Sequence, residues 1–205
     1  MSIPVFQTQY SHDLNAILIA SVLISIFVIA GIAHSFWLRS RVSRFFNYPI
    51  DANCTLFGKR IFGDNKSWRG FVVIVPLVGL LFCVFGSLLP LAPENFRTGL
   101  WDLTPTQYTI IGFFSGLGFM LGELPNSFIK RQLHIQPGKL PMTSVSRLLF
   151  SVLDRIDSIV GMLIVLSLFV FIPFWSWIII LLVGPIFHLG FSLLLWKFGV
   201  KERMA

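Results

Sequence analysis

The chain has 205 residues, of which 55% are hydrophobic and only 12% are charged, and its formal net charge is +7. A soluble domain of this size carries about 25% charged residues, so the composition excludes a protein whose whole surface faces water. The mean hydropathy of +0.81 agrees with this exclusion. We therefore expect one all-α integral membrane domain over residues 1–205. We attribute the positive charge to membrane topology and expect no nucleic-acid partner.

Five apolar segments are long enough to cross a bilayer, which takes about 20 residues of helix. They are residues 14–38, 71–91, 108–124, 153–174 and 177–196. Pro173 disfavours a continuous helix through the last two, because proline removes a backbone hydrogen bond and clashes with the preceding turn. The sequence therefore predicts about five transmembrane helices.

The lysine and arginine residues predict the orientation of these helices. Fifteen of the sixteen lie in segments 39–70 and 125–152, at Arg155 or in the C-terminal tail, and Arg97 alone lies on the opposite side. Cytoplasmic loops carry such an excess of positive charge. We therefore predict a multi-pass protein of the cell membrane with an outside N-terminus and a cytoplasmic C-terminus. Its two functional cytosolic loops would be 39–70 and 125–152, so the active site would face the cytosol.

The first cytosolic loop contains the block 58–70, in which glycines alternate with cations. Glycine permits turns with positive φ and a close approach of backbone N–H groups to an anion. The glycines are Gly58, Gly63 and Gly70, the cations are Lys59, Arg60, Lys66 and Arg69, and the neutral donors are Asn65 and Ser67. Arginine can also bind phosphate oxygens through two parallel hydrogen bonds. The block therefore predicts a cytosolic phosphate-binding segment.

Attraction to anionic headgroups is a simpler explanation of a basic loop, because each Lys or Arg near the membrane contributes about 1 kcal/mol. This explanation accounts for Arg39, Arg41 and Arg44. It does not account for the spaced glycines of the block, or for Asp64 and Asn65 among its cations. We therefore assign headgroup attraction to the three arginines and phosphate binding to the block.

Polar residues also follow the third apolar segment, in the sequence 122–131 (GELPNSFIKR). In a helix, Glu123, Ser127 and Lys130 lie on one face at positions i, i+4 and i+7. An ionisable residue at the end of a membrane span is by default a functional-site hypothesis. Pro125 predicts either a kink or the start of a new helix. The alternative is an ordinary helix end whose cations reach the membrane interface.

Two carboxylates, Asp154 and Asp157, begin the fourth apolar segment. At positions i and i+3 of a helix they are close enough to bind one or two hard cations together. Acids at the membrane edge are costly unless they are paired or bind metal. An ion pair with Arg155 is the alternative, but one arginine leaves a surplus negative charge. The pattern therefore favours Mg²⁺ binding.

Together, the basic loops and the acidic pair describe a phosphoryl- or nucleotidyl-transfer site. Cations bind phosphate groups, carboxylates bind metal ions, and these reactions depend mainly on positioning and charge neutralisation. A site at the membrane boundary also implies one water-soluble substrate and one lipid substrate.

Three ordered motifs resemble a known group of enzymes. Segment 127–131 (SFIKR), followed by 154–157 (DRID), resembles the SxxKR…DRxD signature of the CTP:phosphatidate cytidylyltransferases. Segment 49–51 (PID) and the block 58–70 resemble the smaller CDP-archaeol synthases of that group. The resemblance covers residues 49–161. It implies that CMP is transferred from CTP to a membrane lipid phosphate with Mg²⁺, giving pyrophosphate and a CDP-lipid for phospholipid biosynthesis.

The resemblance also implies roles for individual residues. The metal ligands would be Asp154 and Asp157 with Glu123. The catalytic residues would be these two aspartates together with Lys130 and Arg131, which would bind the nucleotide or the lipid phosphate. The residues that bind CTP would be Lys59, Arg60, Asn65, Lys66, Ser67, Arg69 and Ser127.

Two other functions remain open from the residues alone. A small membrane acyltransferase acting on glycerol phosphate would also have basic cytosolic loops, but it would not need the pair Asp154 and Asp157. A non-catalytic lipid-binding membrane protein would use its basic loops only for headgroup contact. Whether the acceptor has ether-linked isoprenoid chains, as in CDP-archaeol, or ester-linked acyl chains, as in CDP-diacylglycerol, also remains open.

Overall fold

The computed structural model describes residues 5–6, 14–136 and 144–199, which are mostly helical. The helices in chain order are α1 (Ala16–Arg39), α2 (Trp68–Leu88), the single turn α3 (Glu94–Arg97), α4 (Pro105–Gln132), α5 (Ser144–Ser167) and α6 (Phe174–Lys197). Two short 3₁₀ helices lie at Val42–Phe46 and Leu89–Leu91. Strands β1 (Thr55–Leu56) and β2 (Lys59–Arg60) form a small antiparallel hairpin between α1 and α2.

Helix α4 lies between α2 and α5, while α1 packs against α2 and α6. Gly112 and Gly116 of α4 face α2, where a side chain at Gly112 would collide with Phe82. Gly118 and Gly122 face α5. Small residues let helix backbones approach closely in membranes, where lipid is as apolar as the side chains. Two glycine pairs with the same spacing therefore fit α4 closely between its neighbours.

Local sequence explains where the long helices begin. The Asn15 side chain accepts hydrogen bonds from the backbone N–H groups of Ile17 and Leu18, both at 3.1 Å, and so caps α1. At the start of α4, Thr104 and Gln107 cap each other's backbone reciprocally. Such caps satisfy N–H groups that have no partner within the helix.

The apolar character of the helices supports a membrane-embedded protein. Among the described residues, three helices are long and apolar enough to cross a membrane by length and composition. They are α1, α2 together with its extension to Leu91, and α6. Each of the five predicted apolar segments does contain a long helix, so the all-α class is confirmed. The number of spans and their orientation stay predictions.

The two ends of the bundle differ in chemistry. At one end, Ser176 Oγ donates to the carbonyl of Ala16 at 2.9 Å, and Trp101 Nε1 donates to the carbonyl of Phe171 at 2.8 Å. At the other end, the last turns of α1 and α6 meet the first turn of α2, with Trp37 Nε1 donating to the carbonyl of Arg69 at 2.9 Å. The hairpin and the polar end of α4 lie at this second end.

The described part of segment 125–152, which the sequence predicts as a cytosolic loop, is largely helical, and its cytosolic position stays a prediction. Helix α4 continues through Pro125 to Gln132, and α5 already begins at Ser144. Proline removes one hydrogen bond of the helix, but the packing of α4 against two neighbours keeps it continuous. Residues 137–143 lie outside the described part of the chain, as does the end of the tail beyond residue 199.

Candidate active site

The contact between α4 and α5 places the polar end of one helix against the acidic start of the other. A Cβ at Gly161 would collide with the backbone of Gly118 and Gly122, and a Cβ at Gly122 would collide with the carbonyl of Asp157. The two backbones are therefore in direct contact on the side of α5 that carries Asp157. This contact brings the polar side chains of α4 close to those at the start of α5.

The two predicted metal ligands share one hydrogen-bond donor. Asn126 Nδ2 donates to Asp154 Oδ1 at 2.6 Å and to Asp157 Oδ2 at 2.9 Å. Lys130, one helical turn beyond Asn126, forms an ion pair with Asp154. The backbone N–H of Ser158 donates to Asp157 Oδ1 at 2.7 Å. The two carboxylates thus lie side by side, facing α4.

Glu123 joins these residues from α4. Ser158 Oγ donates to its Oε1 at 2.8 Å, and its Oε2 forms an ion pair with Lys66. Burial lowers the pKa of Lys66, but the carboxylates of Glu123, Asp157 and Asp154 together raise it more, and the net pKa lies above the ordinary lysine value. Lys66 therefore keeps its positive charge. We call these side chains the carboxylate cluster: Lys66, Glu123, Asn126, Lys130, Asp154, Asp157 and Ser158.

Asp51 organises the segment between α1 and α2. Its buried carboxylate accepts hydrogen bonds from Arg60 Nη2 at 2.8 Å and from the backbone N–H groups of Phe62 and Gly63 at 2.9 and 3.0 Å. Burial raises the pKa of Asp51, but these hydrogen bonds together lower it by a larger amount, so the net pKa lies well below the ordinary value. The expectation that backbone N–H groups of the block 58–70 point at a bound anion is therefore wrong for Phe62 and Gly63. Asp51 already accepts from both.

A cavity of about 370 Å³ lies between β2 and the end of α4. We call it the hairpin cavity. Its cationic lining residues are Lys59, Arg60 and Arg131, and Asp64 and His134 line it as well. Asp64 forms an ion pair with Arg60 at 2.9 Å. The cavity has the size and charge to accept a group of phosphates.

Two features of its lining suit the hairpin cavity to an anion. Lys59 Nζ donates to the carbonyl of Gln132 at 2.7 Å and so fixes the hairpin to the end of α4. Two guanidinium nitrogens of Arg131, Nε and Nη1, are buried with no hydrogen-bond partner among the described residues. Burial lowers the pKa of Arg131, and the charge of Asp64 offsets this only in part. A buried donor without a partner is costly, and a phosphate oxygen would satisfy it.

The contacts of three other side chains that were predicted to bind CTP give that role less support. Ser127 is buried and donates to the carbonyl of Glu123 on its own helix at 2.9 Å. Asn65 is exposed. Ser67 precedes α2 at the capping position, but its side chain forms no capping hydrogen bond.

Arg69 lies apart from the hairpin cavity. Its Nη2 donates to the carbonyl of Leu38 at 2.5 Å and to Ser43 Oγ at 2.7 Å, which directs the guanidinium toward the end of α1. The sequence places Arg69 in one block with Lys59 and Arg60, whereas the structure places it beside different elements.

Sequence reasoning gave no role to three residues that the structure brings into the site, although Asp51 lies in the 49–51 motif. Asn126 connects the two aspartates, Ser158 connects Glu123 to Asp157, and Asp51 orders the hairpin segment. Only Asn126 carried a usable signal, because it lies one helical turn before Lys130 and so shares its face.

The acidic pair suits a magnesium ion. Within residues 5–6, 14–136 and 144–199, no group of three or more His, Cys, Asp or Glu side chains is arranged to hold a metal, and Glu123 is already bound by Lys66 and Ser158. Mg²⁺ needs less, because it commonly binds one or two carboxylates together with substrate phosphates. Asp154 and Asp157, held together by Asn126, therefore fit this ion.

Comparison with known proteins agrees with the motifs. The family model CarS-like, described as CDP-archaeol synthase, matches residues 46–204. The CDP-archaeol synthase of Thermofilum pendens is 31% identical over 157 residues, which are 76% of this chain and 65% of the relative. No solved structure matches the chain significantly.

Other relatives are covered more fully. The CDP-archaeol synthase of Archaeoglobus fulgidus is 29% identical, over 75% of this chain and 82% of the relative. That of Pyrococcus furiosus is 29% identical, over 75% of this chain and 81% of the relative. The matched region contains the hairpin segment, α4 and α5. On these matches, and on the motifs that form the carboxylate cluster, the chain belongs to the CDP-archaeol synthase family.

Proposed function

We propose that the protein is a CTP-dependent cytidylyltransferase that transfers CMP from CTP to a membrane lipid phosphate. One observation carries this proposal: Asp154 and Asp157 lie side by side next to two lysines, Lys66 and Lys130, that come from separate parts of the chain. A nucleotidyl transfer needs carboxylates for a metal ion and cations for the phosphates. The names of the relatives, CDP-archaeol synthase, favour an ether-linked isoprenoid acceptor.

The hairpin cavity would hold the triphosphate of CTP. Lys59 and Arg60 supply charge from the hairpin, and Arg131 supplies two unpartnered guanidinium nitrogens from α4. Asp64 would exchange its ion pair with Arg60 for solvent when phosphate oxygens arrive. Asn65, Ser67 and Ser127 are assigned weaker supporting roles, because their side chains make no contact with this cavity.

Asp154 and Asp157 would hold Mg²⁺. Bound there, Mg²⁺ would neutralise charge on the triphosphate and on the departing pyrophosphate. Asn126 keeps the two carboxylates together, and Lys130 and Lys66 balance their negative charge. Glu123 positions Lys66 and Ser158, so we assign it a supporting role next to the metal ligands.

In the reaction, an oxygen of the lipid phosphate attacks the α-phosphorus of CTP. A new P–O bond forms between lipid phosphate and CMP, the bond between the α- and β-phosphates breaks, and pyrophosphate leaves with that electron pair. Lys130, which forms an ion pair with Asp154, would bind the phosphate groups if Asp154 held Mg²⁺ instead. No covalent intermediate with the protein is needed.

The membrane arrangement belongs to the same proposal. Five spans over one domain, with the N-terminus outside and the carboxylate cluster facing the cytosol of the cell membrane, would let CTP enter from water. The lipid phosphate would reach the same cluster from the bilayer. The basic residues support this orientation through the positive-inside rule.

The decisive experiment replaces Asp157 with Asn in the full-length protein. We expect CDP-lipid formation from labelled CTP, Mg²⁺ and archaetidic acid to fall below detection, while the wild type turns over. Asp102→Asn is the matched control, because Asp102 is an exposed aspartate outside the cluster, and it should keep wild-type turnover. Size-exclusion chromatography and thermal unfolding verify that both variants fold.

The same assay separates the alternatives. Turnover by Asp157→Asn would contradict the metal assignment. An acyltransferase would consume acyl donors without CTP, and a lipid-binding protein would bind neither CTP nor Mg²⁺. The family matches favour neither alternative.

A further inference from the structure

A second basic cavity lies where the ends of three long helices meet. It has a volume of about 390 Å³ and lies between the last turns of α1 and α6 and the first turn of α2. Its polar lining residues are Arg39, Arg44, Asn47 and Arg69, and Phe198 supplies an apolar wall. We call it the arginine cavity.

The arginine cavity is separate from the proposed CTP site. It shares no lining residue with the hairpin cavity. The two cavities also differ in charge, because the hairpin cavity includes Asp64 whereas no carboxylate of a described residue lines the arginine cavity. None of Arg39, Arg44 and Arg69 forms an ion pair with a described residue. Within the part of the chain that the structure describes, three guanidinium groups therefore face one space without a counter-charge.

The protein holds two of these guanidinium groups in place. Arg69 Nη2 donates to the carbonyl of Leu38 and to Ser43 Oγ, and the carbonyl of Arg69 accepts from Trp37 Nε1. Arg69 Nε is buried and has no partner among the described residues. The guanidinium carbon of Arg39 lies over the ring of Phe198, 5.1 Å from its centre. Arg69 and Arg39 are thus held in position, while Arg69 Nε stays available to bind an anion.

This arrangement has a cost that an anion would remove. Like charges that line one cavity repel one another, and a buried donor without a partner loses its hydration. A phosphate group offers several acceptor oxygens and negative charge, and arginine is the side chain best suited to bind it. Phe198 and Leu38 at the helix ends also provide an apolar surface beside the cavity.

We propose that the arginine cavity binds a phosphate group, from an anionic lipid headgroup or from free phosphate, at a site separate from the nucleotide. The position at the ends of apolar helices α1, α2 and α6 suits a lipid whose chains lie along those helices. Arg41 distinguishes this site from general attraction to headgroups. Arg41 is exposed, as Arg39 and Arg44 are, but it does not line the cavity.

The test measures binding to the purified full-length protein without CTP or Mg²⁺. One arm uses phosphatidylcholine nanodiscs with and without phosphatidylglycerol, whose phosphodiester is not an acceptor for CMP. The other arm uses inorganic phosphate with protein in detergent. Native mass spectrometry and thermal shift report binding. Loss of one charged hydrogen-bond donor should weaken affinity by about tenfold.

Arg44→Gln and Arg39→Gln should each show this loss, while Arg41→Gln should bind as the wild type does. In the phosphatidylglycerol arm, the hairpin-cavity variant Arg131→Gln should also bind as the wild type does. Binding of phosphatidylglycerol alone assigns the site to a lipid headgroup, and binding of both probes assigns it to phosphate in general. An equal loss in Arg41→Gln and Arg44→Gln would overturn the proposal, as would loss in Arg131→Gln alone or no binding of either probe. These readouts do not involve turnover, so they stand or fall independently of the proposed reaction.

Discussion

The carboxylate cluster and the segment around Asp51 both combine opposite charges, but different forces hold them. In the cluster, acids and bases from separate helices meet because glycines let α4 and α5 touch backbone to backbone. Around Asp51, neighbouring residues of one segment meet because a single buried carboxylate accepts their hydrogen bonds. A larger side chain at one of these glycines should therefore disrupt the carboxylate cluster, whereas removal of the Asp51 charge should disrupt the segment around it.

The largest expected effect tests the first half of this comparison. Gly161→Ala adds a methyl group that would meet the backbone of Gly118 and Gly122, which cannot move aside as a side chain could. We expect turnover to fall at least about 100-fold, since a displacement near 1 Å costs that much in a positioned site. Overpacking should also cost about 1–3 kcal/mol of stability. CDP-lipid formation and thermal unfolding measure the two effects.

Gly190→Ala is the control, because nothing lies within 4 Å of a Cβ at Gly190 in α6. Alanine there should leave turnover unchanged and should stabilise the helix by up to about 1 kcal/mol. If Gly161→Ala were as active as Gly190→Ala, the contact between α4 and α5 would not set the geometry of the cluster.

A smaller effect is expected when the link between the two aspartates is removed. Asn126→Ala leaves Asp154 and Asp157 without their shared donor, so their like charges should separate. We expect kcat to fall by about 10- to 100-fold, the range for residues that orient metal ligands. The Mg²⁺ concentration for half-maximal activity should rise, which a loss of folded protein alone would not cause.

Asn95→Ala provides the comparison, because Asn95 is exposed on α3 at the opposite end of the bundle. It should change neither kcat nor the Mg²⁺ requirement. An unchanged Mg²⁺ requirement in Asn126→Ala would show that Asn126 does not position the metal ligands.

The sequence predicted the helices and the pairing of Asp154 with Asp157 better than it predicted their surroundings. Asp154 and Asp157 were identified because two acids beside an apolar run have few explanations. The role of Gly118, Gly122 and Gly161 could not be predicted, because it depends on which helices are neighbours. Glycine spacing within α4 alone does not say what faces it.

The block 58–70 shows a different limit of sequence reasoning. Its cations appear equivalent along the chain, yet Arg60 binds Asp51 while Arg69 binds the end of α1. No periodic pattern relates Asp51 to Arg60, nine residues later, because the folding of the segment between them brings the two side chains together. The sequence therefore predicted the charge of this region and not its division between two cavities.

The smallest effect concerns Asp51 and its dependence on pH. Because hydrogen bonds hold its folded pKa below the ordinary value, Asp51 contributes stability that is fully present above the ordinary carboxyl pKa of about 4. That stability is lost as the pH falls through the folded pKa. At neutral pH, Asp51→Asn should lower the hydrogen-exchange protection of Phe62 and Gly63 by about 10- to 100-fold, as expected for hydrogen bonds to a charged group.

Asp64→Asn tests whether this effect needs a buried carboxylate. Asp64 also pairs with Arg60, but its side chain is 72% exposed whereas that of Asp51 is fully buried. An exposed ion pair contributes at most about 1 kcal/mol, so Asp64→Asn should change protection by no more than about fivefold. Below pH 4 the difference between the wild type and Asp51→Asn should narrow. Equal losses of protection in both variants, or a difference that does not depend on pH, would mean that the packing of the hairpin holds the segment and not the charge of Asp51. Packing would then hold both the segment and the carboxylate cluster.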